Sequence, residues 1–261
     1  MLDLLYNLNK HKHLLVATTM QNLNSRFTSS VFGAAWLVLY PLIFLSMYSL
    51  IFIFILGVRV PDLGTAHYVL IIFSGLVPFL AFSEAFSVGT SSIIANRSLL
   101  RNTLFPIEMV VARDVLVGHA TMGLGLLLVW AAVLYNGHVY WTQLAIPLIF
   151  LFQIIMTLGL VWISSSLTIF FRDIQQAIPI IILFLMLVSP IGYTDEMVPL
   201  GMKAIIKLNP LAWLMHLYRQ CFLTGALPLM ELVYFGLFSI VCCLVGYRLI
   251  SRLKPIFADY V

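Results

Sequence analysis

The sequence predicts an all-α integral membrane protein: six transmembrane helices, an amino-terminal amphipathic helix in the interface, and two short outer re-entrant helices between spans five and six. Two observations carry that prediction. Hydrophobic residues are 62% of the chain and charged residues 9%, where a soluble domain carries about a quarter charged. Apolar runs then recur along the 261 residues, separated by short polar or charged links. A bilayer core of about 30 Å takes about 20 residues of helix to cross, so most of these runs are long enough. The chain reads as a single membrane domain, 1–261, divided into an interface helix (1–30), spans one to five (31–190), an outer segment (191–230) and span six with a tail (231–261).

Residues 1–30 are too polar to span. Val16, Met20, Leu23 and Phe27 recur at helical spacing, while Gln21, Asn22, Asn24, Ser25 and Arg26 occupy other faces, the pattern of a helix lying in the interface. Residues 1–13 mix polar and apolar side chains and include Lys10, His11, Lys12 and His13, so no cleavable signal peptide is expected there. Span one, Val31 to Leu56, is uncharged and carries Trp36, Tyr40, Phe44, Tyr48 and Phe52. An aromatic at every fourth position advances about 40° per step, so the five rings form one slowly winding stripe. Either they face lipid and neighbouring helices, or they offer a continuous surface along which a polymer of sugar rings can slide.

Span two runs from about His67 to Ile94, with Pro78 expected to kink or break it and Glu84 in its later half. Glu84 lies among Ser83, Ser87 and small residues, facing protein or water, and an acid inside a span is a functional suspect. The link that follows holds Arg97 and Arg101 and is stopped by Pro106. Span three covers Met109 to Tyr135, with Arg113 and Asp114 at its entrance; span four runs from Thr142 to Phe170 and closes on Arg172 and Asp173. The fifth apolar run, Ala177 to Val188, is too short to cross upright alone and spans together with the residues around it. Between Ile191 and Met230, Pro199, Pro210 and Pro228 punctuate two short helical patterns, Leu200 to Leu208 and Leu211 to Leu223. A connection of this length in a compact protein is rarely idle. Its cations, Lys203, Lys207 and Arg219, are expected near the outer interface with Asn209, meeting lipid phosphates or the pyrophosphate of a carrier. Span six is Leu232 to about Ile250.

Lys and Arg set the orientation. Ten fall on the side of the termini and four on the other, so both termini are expected to be cytoplasmic. Cys221, Cys242 and Cys243 lack metal-ligand spacing, and the adjacent pair reads as small buried thiols. The six histidines are scattered, so no metal site is expected. There is no G-x-x-x-x-G-K-[ST] loop and no H-E-x-x-H pattern, which removes ATP hydrolysis by that route and metalloprotease chemistry. If the protein transports something, the energy comes from another subunit.

The interface helix ending in Arg26-Phe27, then Gly33, Trp36 and Pro41, resembles the start of type 2 ABC exporter permeases of the polysaccharide-export family. Those proteins serve lipopolysaccharide O-antigen, capsule and teichoic-acid export. Gly75 to Phe79, Asn96 to Arg101, Phe105-Pro106, Phe171 to Ile174, Ser189 to Ile191 and Asn209 to Leu211 follow in that family's order, over nearly the whole chain. Phe79 stands where many relatives carry Trp, and the acidic residue often found before the arginine of the first helix is absent.

The resemblance implies a homodimer with two ATP-binding subunits in a bacterial cytoplasmic membrane, exporting a lipid-linked glycan through a channel between protomers. This chain would hold no cofactor; ATP and Mg would sit on the partner. Spans one and five would line the channel, with Trp36, Tyr40, Phe44, Tyr48, Phe52 and Glu84 on the substrate path. Residues 191–230, with Lys203, Lys207, Asn209 and Arg219, would be outer gate helices. Arg97, Arg101, Arg172 and Asp173 would couple to the ATPase. Competing readings are a type 2 permease for a small drug or lipid, a membrane-embedded glycosyl- or acyltransferase, and a proton-coupled carrier. The transferase wants a cluster of acids or histidines near one interface, and the carrier wants inverted halves; neither is visible. A nucleic-acid partner is not expected, since the basic residues follow the membrane bias.

Overall fold

A computed structural model describes residues 2–26, 30–55, 65–96, 106–193, 198, 201 and 203–260. Its regular elements are helices: α1 (Leu2–Ser25), α2 (Trp36–Leu50), α3 (Thr65–Ala95), α4 (Ile107–Tyr135), α5 (Ile146–Phe170), α6 (Asp173–Val188), α7 (Lys203–Leu208), α8 (Pro210–Arg219) and α9 (Leu229–Tyr260). A tight 3-10 turn, Gly33–Ala35, leads into α2, another, Trp141–Ala145, leads into α5, and wider π-type turns extend α2 through Ile55 and α8 through Thr224. Among the described residues, five stretches are long and apolar enough to cross a membrane: Gly33–Leu50, His67–Ala95, Ile107–Tyr135, Trp141–Phe170 and Leu229–Phe257.

The fifth apolar run lies in a shorter helical stretch than these five. α6 has 16 residues, yet it carries the chain from one end of the bundle to the other. At its start Phe170 meets Phe257 near the end of α9, with ring centroids 6.4 Å apart. Just past its end Tyr68, at the start of α3, donates to the Gly192 carbonyl at 2.6 Å. The helix begins at Asp173, four residues before the apolar run. The acid in its first turn complements the partial positive charge of a helix N-terminus.

α3 forms the centre of the bundle, packing on α4, α5, α6 and α8. It continues through Pro78 without the expected break. The Pro78 carbonyl accepts from Gln153 Nε2 of α5 at 2.9 Å, and neighbouring polar groups of this kind are what make proline tolerable inside a span. α5 and α9 run parallel and touch backbone to backbone. A Cβ added at Gly246 would lie 2.3 Å from the Gly159 carbonyl oxygen, and one at Gly159 would lie 2.3 Å from the Cys242 carbonyl carbon. Small residues let helices approach where lipid supplies no hydrophobic push. The backbone of Cys242 and Cys243 lies in this seam; the Cys243 thiol is buried as expected, whereas Cys242 is only partly buried. α9 also runs past the expected end at Ile250, because Arg248, Arg252 and Lys254 mark where the helix leaves apolar surroundings without ending it. Lys254 instead reaches both Glu108 oxygens of α4 at 3.1 Å.

α1 does more than lie beside the bundle. Leu15 packs with Met109 and Ala112, and Val16, Thr19, Met20 and Leu23 face Leu116, His119, Ala120 and Gly123 of α4. Its second half therefore follows α4 for several turns and delivers Arg26 into the bundle.

Candidate functional site

Arg26, Trp36, Tyr40 and Glu84 converge. The end of α1, one face of α2, and the facing sides of α3 and α4 enclose a cavity of about 400 Å³. Its wall is apolar, from Pro41, Val77, Leu80, Ala81 and Met122, and Gly125 lets the elements close up: a Cβ there would sit 3.0 Å from Val77 and 3.9 Å from Pro41. Two aromatic rings stand at its edge, Trp36 at 38% and Tyr40 at 52% exposure. Its polar corner is an ion pair: Arg26 Nη1 donates to Glu84 Oε1, and Thr121 Oγ1 donates to Glu84 Oε2 at 3.1 Å. The Arg26 and Glu84 side chains remain 28% and 32% exposed. Glu84 thus faces protein and cavity, as its small and hydroxylated neighbours implied.

The structure divides the aromatic stripe. Trp36 and Tyr40 open onto the cavity, whereas Phe44 and Tyr48 lean against the main core and stack on each other at 6.4 Å. The Phe52 side chain lies outside the described residues. Span one as a whole is thinly covered: of its described side chains only Leu45 is buried, and of those of α6 only Ile178. On α6, Ile180, Leu183, Phe184 and Leu187 are exposed. Both helices pack on α3, and each leaves an apolar face uncovered.

At the far end a second cavity, about 560 Å³, is lined by Lys203, Lys207, Trp213, His216, Arg219, Glu231 and Tyr234. Three of the four residues assigned to the outer segment's function therefore share one wall. Asn209 does not. It is buried, its side-chain oxygen accepts from Leu211 N at 3.0 Å to cap α8, and its Nδ2 donates to Ser189 Oγ at 2.9 Å. Asn followed by Pro at the first helical position is a strong helix start, and here it also pins the end of α6. Arg219 is only partly available to a ligand, since Nη2 donates to the Pro190 carbonyl at 2.7 Å and to that of Ile191 at 3.3 Å. α8 itself is a core element on one face: Leu211, Leu214, Leu217, Tyr218 and Phe222 are buried. Tyr218 donates to Gln153 Oε1 at 3.1 Å, so one polar thread joins Pro78 of α3, Gln153 of α5 and α8.

Around the end that bears α1, Arg113 Nε donates to Asp114 Oδ1 at 2.8 Å, Arg113 Nη2 to Asn96 Oδ1 at 3.2 Å, and Asn22 Nδ2 to Asp114 Oδ1 at 3.4 Å. Arg172 and Asp173 are exposed at the head of α6. Arg97 and Arg101 lie outside the described residues. Among the described residues, no three His, Cys, Asp or Glu side chains are grouped to share a metal ion.

Sequence reasoning passed over Arg26 as a site residue, reading it only as a basic residue of the interface helix turned toward water or a partner, and missed Thr121 and the His216–Glu231 pair, 2.6 Å apart. A signal for the first was present. A lone acid within a span needs a partner, and a lone arginine preceding the first span is a natural one.

Residues 13–223 match the family described as ABC-2 type transporter. The chain is 30% identical over 264 residues to the O-antigen export system permease protein RfbA of Klebsiella pneumoniae, covering 99% of this chain and 98% of that one. It is 26% identical to the protein of the same description from Myxococcus xanthus, over 87% of each chain. It is also 26% identical to the polysialic acid transport protein KpsM of Escherichia coli, over 89% of this chain and 90% of that one.

Proposed function

Given that the chain belongs to the ABC-2 type transporter family, we propose that it is the membrane subunit of an ATP-driven exporter of a lipid-linked polysaccharide, of the O-antigen or capsule type. The observation that carries this reading is the pair of uncovered faces on α2 and α6. An exposed apolar helix face on a membrane protein meets either lipid or another protein. Here one of the two adjoins a cavity that combines aromatic rings with an ion pair, a lining that lipid alone does not require. Two copies brought together through these faces would enclose a channel whose aromatic walls give sugars stacking surfaces without tight grip.

In this reading the chain crosses the bacterial cytoplasmic membrane six times, α6 included, with both termini cytoplasmic as the Lys and Arg bias favours. α7 and α8 enter from the outer side as the gate. The subunit is not itself an enzyme; ATP and Mg belong to two separate ATP-binding subunits. These seat on the links around Arg97, Arg101, Arg172 and Asp173.

Deleting the gene should stop a surface glycan from appearing and leave it inside the cell, and the permease should co-purify with an ATPase subunit. Charge reversal at Arg101 and Arg172 should uncouple ATP hydrolysis from export while the permease stays inserted. Unchanged surface glycan in the deletion strain would remove the export reading. Unchanged export and ATPase stimulation after reversal would remove the docking role alone.

A further inference from the structure

The ion pair at the corner of the α2–α3–α4 cavity is placed where a ligand can reach it. Closing such a pair off on every side strengthens the attraction but costs the desolvation of both charges. This one stays open to a cavity, with both side chains about a third exposed. The two partners are also unequally held. Glu84 has both oxygens engaged, one by Arg26 and one by Thr121 at 3.1 Å. Arg26 has one hydrogen-bond partner among the described residues, with the Asp114 carboxylate also within electrostatic reach, although a guanidinium carries five N–H donors in a planar fork suited to phosphate. The unspent donors of Arg26 are the unsatisfied chemistry of the site.

We propose that this cavity is a loading site for a lipid-borne phosphate, in which Arg26 holds the phosphate and Glu84 is the internal anion that the phosphate displaces. The proposal rests on the export reading above and specifies its first step. Glu84 lies eleven residues before Ala95, the last residue of α3, so the site is about 16 Å along the helix from the end that bears α1. An anionic headgroup enters from that end, exchanges its phosphate for the Glu84 carboxylate on Arg26, and leaves Glu84 held by Thr121. Trp36 and Tyr40, standing at the cavity edge, then face whatever is joined to the phosphate, which in a lipid-linked glycan is the first sugar. The uncovered flank of α2, with Ile43, Met47 and Leu50 exposed, leaves the attached hydrocarbon chain a path along the outside of the bundle. A volume of about 400 Å³ suits a headgroup with one sugar, and small-molecule sites span roughly 300–1,000 Å³. It is too small for a run of sugars, so the site loads the chain and does not conduct it.

The exchange makes an asymmetric prediction. A tether is lost equally from either side. A site in which Glu84 competes with the ligand is weakened by removing Arg26 and strengthened by neutralising Glu84. The test uses the permease with its ATPase subunits in lipid nanodiscs and measures the affinity for three probes: a C55 polyprenyl diphosphate, the matching polyprenol, and inorganic pyrophosphate. In the wild-type complex the polyprenyl diphosphate should bind at least about tenfold more tightly than either other probe, the size of one charge-assisted contact. Arg26→Gln should reduce it to the level of the polyprenol, and Glu84→Gln should tighten it about fivefold by removing the competitor. Should Arg26→Gln fail to assemble, Glu84→Gln still decides the matter. Tighter binding upholds the exchange, and weaker or unchanged binding overturns it. Inorganic pyrophosphate binding as tightly as the lipid would also overturn it, since the site would then serve a free anion. Glycan export in the deletion strain reports separately on the function itself. If export persists there, the function reading fails; if export stops but the two variants move affinity in the same direction, only the loading site fails.

Discussion

The thread from Pro78 through Gln153 to Tyr218 should hold α8 to the bundle, and it can be measured. Gln153 and Tyr218 are both fully buried. Gln153 Nε2 donates to Pro78 O at 2.9 Å and Gln153 Oε1 accepts from Tyr218 at 3.1 Å. Hydrogen bonds between helices in a membrane average about 0.6 kcal/mol with a maximum near 1.7, while leaving a buried polar atom without a partner costs about 1–3 kcal/mol. Tyr218→Phe keeps the ring and its packing but strands Gln153 Oε1, so it should cost about 1 kcal/mol. Gln153→Leu loses both bonds and strands the Tyr218 hydroxyl, at about 2 kcal/mol. Adding Tyr218→Phe to Gln153→Leu removes that stranded hydroxyl and should cost nothing further. The expected coupling is therefore about 1 kcal/mol, near a fivefold change in an equilibrium constant. A double-mutant cycle on reversible unfolding of the purified permease in mixed micelles provides the measurement. If Tyr218→Phe costs the same with and without Gln153, the two side chains do not communicate and the thread holds nothing.

Three further outcomes are expected. Replacing Tyr40 or Trp36 with Leu should lower glycan export per folded permease well below what Phe44→Leu does, because only the first pair opens onto the cavity; equal export from all three would make the stripe packing. Gly246→Leu should abolish folded protein in the membrane fraction, since its Cβ would meet the Gly159 carbonyl oxygen at 2.3 Å and backbone cannot yield cheaply, overpacking alone costing about 1–3 kcal/mol. Gly236→Ala, whose Cβ has the Phe152 ring as its nearest neighbour at 3.1 Å, should be milder by gel-filtration yield, and equal loss from both would refute the close-seam argument. A cysteine at position 203 in a cysteine-free background should react with an impermeant reagent from outside the cell, and reaction only from the cytoplasmic side would invert the orientation.

The sequence by itself determined the class and much of the course of the chain. Spanning length, low charge and the short links between runs foretold the five long helices, because a bilayer demands continuous apolar helix wherever the backbone crosses it. Pro210 marked the break between the two short helical patterns, and α8 starts there, one residue before the expected Leu211. Glu84 stood out because an acid is costly at that depth. What the sequence left open was decided by contacts between residues far apart in it. Arg26 and Glu84 are 58 positions apart, and only the path of α1 along α4 brings them together. Four-residue spacing placed Trp36 through Phe52 on one winding stripe, but which rings meet a cavity and which lean on the core depends on how α2 sits against α3 and α4. Asn209 and Arg219 show the same limit. Composition fixes what a residue is able to do, and its tertiary neighbours decide whether those bonds are already spent.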